Sequence, residues 1–316
     1  MLALPRSALA FVGRHATIAY ALSIVLGLGL PQLASALRPF IPISIFVFIM
    51  LAFARANLPG LKVVATHPAR LAGALAISAV APPLVALAYL TSPLAADIDP
   101  ALRLGIALMA AAPPLMASPV YAQLLGFENS LALTVLVIGM AIAPLTAPVI
   151  ATYLAGAEVP ITPVQLAQRL ALFIGGGMIC GLILRRWAGV PRLTALKCEL
   201  DGVGVLMFFL FAIAAMDGVI DETLARPLFM LKLLALSTIL AMITFLVGYL
   251  GLRGLGFNDR FSVSICVGLR NMGLLITPIL SIAPKTTFLY FALAQIPVYV
   301  APLMLRAAKR LLEPKR

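Results

Sequence analysis

The stretch LALTVLVIGMAIAPLTAPVIATYL, Leu131–Leu154, carries no charged side chain over 24 residues. A segment of that length and polarity is long enough to cross a bilayer as a helix, which needs about 20 apolar residues. Similar runs recur along the whole chain. They define ten spans: Thr17–Leu37, Phe40–Leu58, Arg70–Thr91, Leu104–Leu125, Leu131–Leu154, Val164–Leu184, Leu200–Met216, Phe229–Leu252, Ser262–Ile282 and Thr287–Leu305. The runs are far too long for the alternating strands of a membrane barrel, so an all-α integral membrane protein is expected. Only 11% of residues are charged, against about 25% in a soluble domain, and mean hydropathy is +1.10. Residues 1–16, with Arg6, Arg14 and His15 breaking the apolar run early, read as an amphipathic lead at the membrane surface rather than a signal peptide.

The net charge of +12 is a statement about topology. With ten spans, both termini and the even-numbered loops share one side, which holds sixteen of the basic residues; six fall on the other. The positive-inside rule then puts both termini in the cytoplasm, most simply across a bacterial inner membrane. That distribution argues against nucleic-acid binding. Cys180, Cys198 and Cys266 lie in or beside spans, and His15 and His67 are the only histidines. Neither a disulfide framework, a metal site nor a cofactor is expected.

Two spans carry interruptions. The fourth holds Pro113, Pro114 and Pro119, and the ninth holds Gly268, Asn271 and Gly273 followed by Pro278. Proline removes an amide donor and clashes with the preceding turn, so both helices should be discontinuous. Each is followed by a span with a proline pair, Pro144 and Pro148 in one half, Pro297 and Pro302 in the other. Five spans per half force the halves into opposite orientations. Broken segments at matching places in two inverted halves point to the midplane site of a secondary transporter.

The segments AAPPLMASPVYAQLLGFENSLALTVLVIGMAIAPLTAP (Ala111–Pro148), CVGLRNMGLL (Cys266–Leu275) and HPARLAGALAISAVAPPLVALAYL (His67–Leu90) resemble the bile acid:sodium symporter family. The resemblance implies ten helices in two inverted five-helix repeats, with helices 4 and 9 discontinuous and crossing. It further implies a core of residues 70–154 and 229–305 and a panel of 17–58 and 164–216; the charge distribution makes 306–316 a basic cytoplasmic tail. Family substrates are organic anions, usually carried with sodium.

The chain departs from the family where sodium would bind. The family's Pro-Gly-Gly-Thr-Ser-Ser-Asn-like turn reads Pro113 to Pro119 here, keeping Ser118 but placing Pro119 at the asparagine ligand. Hydroxyl ligands of span five fall on Ala132 and Leu136, and a glutamine of span three falls on Ser78. The family's Glu-x-Gly-x-Gln-Asn becomes Cys266 to Asn271, so the glutamate is Cys266 and the glutamine Arg270. Sodium wants oxygen ligands, preferably a carboxylate, and these side chains offer few.

Arg270 is the residue that most needs an explanation. A guanidinium at the centre of a span costs roughly 2.5–3.5 kcal/mol on insertion scales, and Glu128 and Asp217 lie only near span ends. Three roles fit: filling the place of a cation against unwound carbonyls, binding a substrate carboxylate or sulfate through its planar fork, or a purely structural charge. Asn271 would bond either substrate or its own backbone, and Ser118 either the site or its own helix. Gln295 would either line the site or satisfy carbonyls freed by proline. Gly268 and Gly273 are substrate-site candidates or simply permissive backbone positions. Cys266 reads as a small buried hydrophobe, and the glycines of Gly175–Gly177 as close helix packing.

The expected function is secondary transport of a small organic anion by alternating access, without sodium coupling. A membrane sensor or scaffold on the same fold is the alternative. No Ser/His/Asp set or paired carboxylates mark an enzyme, and too few spans are polar for a conducting pore. The expected partners are the anion and the lipid bilayer.

Overall fold

The computed structural model describes residues 16–55, 64, 66–156 and 159–313. The amphipathic lead before Ala16, the Leu58 end of the second span, and residues 314–316 of the basic tail lie outside the described residues. Helices account for nearly all of the described chain. They are α1 (Ala16–Gly29), α2 (Pro31–Leu37), α3 (Ile41–Ala54), α4 (Pro68–Leu90), α5 (Pro100–Ala111), α6 (Ser118–Leu124), α7 (Ser130–Ala155) and α8 (Pro163–Ala188), then α9 (Val190–Ala195), α10 (Lys197–Ala215), α11 (Val219–Ala225), α12 (Pro227–Gly251), α13 (Phe257–Gly268), α14 (Met272–Ile276) and α15 (Lys285–Leu312).

Proline sets many of the starts. Pro31, Pro68 and Pro100 stand in the first turn of their helices, where the missing N–H costs nothing. Ahead of Pro100 the Asp99 carboxylate accepts from Ala101 N–H at 2.9 Å, capping α5. Gly126, at φ 81°, allows the turn that follows α6, a conformation that other side chains resist.

Seven helical segments among the described residues are long and apolar enough to cross a membrane: Pro31–Ala54, Pro68–Leu90, Ser130–Ala155, Pro163–Ala188, Lys197–Ala225, Pro227–Gly251 and Lys285–Leu312. The chain is a multi-pass, all-α integral membrane protein. Where the other three spans are expected, the described residues hold α1, α5 with α6, and α13 with α14, none of them a single helix of membrane-crossing length. The boundary between the first two spans also differs from expectation. The chain breaks at Leu30, ahead of Pro31, whereas Arg38–Phe40 makes only one 3-10 turn between α2 and α3. Arg38 needs no loop, because its Nη1 meets Asp217 Oδ2 at 3.0 Å.

The chain divides into two compact units, residues 1–56 with 171–230, and residues 57–170 with 231–316. In the first, α10 packs on α1, α2 and α3. Gly27 lies against Met216, where an added Cβ would come within 2.9 Å of Met216 Cβ. Gly177 and Gly181 of α8 do the same against Ile49 and the Met50 carbonyl, so these two serve close packing, whereas Gly175, expected to do so as well, has nothing within 4 Å of an added Cβ. Arg55 pairs with Asp201 at 2.7 Å.

In the second unit α7 packs on α4 and α5, α15 on α5, and α13 on α4, α6 and α7. Phe127, Phe245, Tyr249, Phe257 and Phe261 form one aromatic cluster. Arg70 and Asp259 form an ion pair. Gly105 admits the Tyr290 ring and Gly139 admits the Pro114 ring, each leaving only 2.9 Å for a Cβ. All the candidate site residues belong to this unit.

Candidate functional site

α5 ends because Pro113 forces its predecessor out of the helical region: Ala112 is extended, at φ −62° and ψ 147°. On the other segment α13 ends at Gly268, and Leu269 is extended at φ −102° and ψ 114°. The two unwound stretches meet. Pro114 and Arg270 form an isolated antiparallel bridge, in which Leu115 N–H donates to Leu269 O and Asn271 N–H to Pro113 O, both at 2.9 Å. Each break therefore satisfies backbone groups of the other, as apolar surroundings require.

Arg270 leaves this bridge half-buried and turns toward α4 and α13. Its Nη1 donates to Ser78 O at 3.1 Å, to Cys266 O at 3.3 Å and, at 3.4 Å, to Ser78 Oγ. Its Nε is buried without a hydrogen-bond partner. The Cys266 thiol points elsewhere, to Ala132 O at 3.6 Å. Ser78, Ala132, Cys266 and Arg270 thus form one connected cluster. Sequence reasoning marked Ser78 by position, but its carbonyl matters here as much as its side chain.

Asn271 begins α14 with its backbone amide committed to Pro113; its side chain caps nothing, and Nδ2 is buried without a partner. Ser118 opens α6, fully buried beside the Cys266 thiol, and its hydroxyl has no hydrogen-bond partner. Gln295 donates through Nε2 to Phe291 O at 3.1 Å. That carbonyl lies one turn back on α15 and is not the one Pro297 frees, which is Leu293's. Gly268 lets α12 approach: a Cβ there would fall 2.6 Å from Phe245 Cβ and 3.0 Å from Ala241 O. Gly273 lies in α14, and its carbonyl accepts from Thr277 Oγ1 at 2.8 Å.

Two of the small chambers that Arg270 lines also hold other candidate residues or the crossing prolines. One, of about 60 Å³, is walled by Ser78, Ala79, Pro113, Pro114 and Gly139. The other, of about 20 Å³, includes Ser237, Gly268, Met272, Gln295 and Pro297. Such volumes hold one or a few waters. Arg270, Gly268 and Gln295 are therefore together at one chamber, and Asn271 and Gly273 flank it on the chain. Ser118 is on the Cys266 side of the crossing. Ser237 and Met272 are lining residues that carried no sequence signal. Among the described residues, no three His, Cys, Asp or Glu side chains gather to hold a metal.

No protein-family model and no curated protein sequence matches this chain.

Proposed function

We propose that the chain is a secondary transporter of small organic anions, working by alternating access without sodium, with Arg270 in the place a cation would take. One observation carries this reading: Arg270, at the crossing of two interrupted segments, gives one nitrogen to the Ser78 and Cys266 carbonyls and keeps Nε unpaired. The first feature suits a built-in cation, and the second leaves a donor for a carboxylate or sulfate. The unpaired Asn271 Nδ2 adds a second donor at the same break.

The ten-span arrangement with inverted five-helix repeats belongs to this proposal, and so do cytoplasmic termini in a bacterial inner membrane. Contacts near span ends support it. Arg55–Asp201 and Arg70–Asp259 join residues assigned to the cytoplasmic side. Lys309 Nζ donates to Leu125 O at 3.0 Å and Thr287 Oγ1 to Ala101 O at 2.7 Å, again pairing ends assigned to the same face. The resemblance to the bile acid:sodium symporter family supports the substrate class.

A second reading, a sensor or scaffold that does not transport, is favoured by the size of the chambers, about 60 and 20 Å³. Transport requires them to open. Counterflow in proteoliposomes separates the two. Anions that shift the thermal unfolding of the purified protein are loaded inside, and exchange with labelled external anion marks a transporter. Binding without exchange marks a sensor.

A further inference from the structure

α4 holds two consecutive prolines, Pro82 and Pro83, in its interior. A helical proline lacks the N–H that would bond the carbonyl four residues earlier. Pro82 therefore removes the helical partner of Ser78 O, and Pro83 that of Ala79 O. Ser78 O is the carbonyl to which Arg270 donates at 3.1 Å. Pro82 is buried, and it lines a gap of about 10 Å³ together with Arg270. The same pairing recurs among the described residues of this unit. Pro302 in α15 removes the partner of Val298 O, and Tyr121 Oη donates to that carbonyl at 3.1 Å.

Both halves of the Arg270 contact are unfavourable alone. A carbonyl without a partner inside an apolar span is costly, and so is a guanidinium. Brought together they form a charge-assisted hydrogen bond, stronger than a neutral one. We propose that Pro82 is the positioning residue of Arg270: by freeing the Ser78 carbonyl, it turns the wall of α4 into a guanidinium acceptor. This holds whether or not the protein transports anything.

The test is a double-mutant cycle in thermal unfolding of the full chain in detergent, with Pro82→Ala and Arg270→Met. In the Arg270→Met background, Pro82→Ala restores a helical bond and raises Tm. In the parent, it also takes away part of the arginine's acceptor, so the gain is lost. The expected non-additivity is about 2 °C or more. Pro83→Ala, which frees a different carbonyl, combines additively with Arg270→Met. Ethylguanidinium at millimolar concentration should raise the Tm of Arg270→Ala but not of Pro82→Ala/Arg270→Ala, and ethylammonium should raise neither. Additivity of Pro82→Ala with Arg270→Met, or rescue that ignores residue 82, overturns the proposal. If the Arg270 variants do not fold, phenylglyoxal modification of Arg270, followed by peptide mass spectrometry, replaces the cycle. Pro82→Ala should react several-fold faster than the parent and Pro83→Ala, and equal rates overturn the proposal.

Discussion

Pro114 and Arg270 face each other across an antiparallel bridge, with one backbone hydrogen bond on either side of the pair. Neither break could persist alone in an apolar environment, because each would leave amides or carbonyls without partners. Crossing solves the problem for both. It also fixes where the Arg270 side chain starts, and hence which carbonyls it can reach.

Arg270 should be needed for anion binding, and lysine should not replace it. Arg270→Ala and Arg270→Lys are expected to weaken binding of a responsive bile salt, steroid sulfate or small carboxylate by about tenfold or more, the scale of one charge-assisted hydrogen bond. A lysine ammonium cannot span acceptors with a planar fork. Isothermal titration on the detergent-purified variants measures this, and parent-like affinity in Arg270→Ala would make the arginine purely structural.

Binding and uptake should proceed equally in sodium chloride and choline chloride. Cys266 is turned to Ala132 O, and Arg270 already occupies Ser78 O and Cys266 O, so a sodium ion has little oxygen left to bind. Arg270→Gln should not create sodium dependence. A sigmoidal dependence of uptake on sodium in the parent protein would refute this.

Gly139→Ala should destabilise the crossing by about 1–3 kcal/mol, since overpacking forces neighbours to shift. The new methyl would sit 2.9 Å from Pro114 Cδ, on a ring that cannot rotate away. Gly73→Ala, on α4 with nothing within 4 Å, is the control and should be neutral or slightly stabilising. Thermal unfolding of the two variants in the same detergent compares them.

Tyr121→Phe should cost about 1 kcal/mol, because the Val298 carbonyl loses its donor while the ring remains. A matching Tyr121→Phe/Pro302→Ala variant should recover part of the loss, since alanine at 302 returns an amide to the helix. Denaturation midpoints of the three proteins give the comparison.

A reporter fused after Arg316 should be cytoplasmic, while tags near Asp97 or Asp221 should react with impermeant reagents in intact cells. An externally accessible C-terminus would contradict the ten-span arrangement and the sidedness inferred from its basic residues.

Much of the helical layout could be read from the chain because apolar length and proline act locally. Pro113–Pro114 ends α5 where they stand, and the Gly268–Gly273 region breaks the ninth segment where the glycines and asparagine suggested. The boundary expected between Leu37 and Phe40 is in the structure a single 3-10 turn, where Arg38 pairs with Asp217, and the helix breaks instead at Leu30. Gln295 was marked for being a buried amide near a proline; its bond to Phe291 O follows from helix geometry rather than from the freed carbonyl.

The sequence by itself determined that this protein spans a membrane as helices, that two of its segments are interrupted, and that an arginine stands in one interruption. Those properties depend on side-chain transfer energies and on the missing proline amide, which each residue carries wherever it is placed. The tertiary structure alone decided that Pro114 meets Arg270, and that the guanidinium finds Ser78, 192 positions away along the chain. Hydrogen bonds between distant spans depend on how whole helices cross, and no local propensity encodes that crossing.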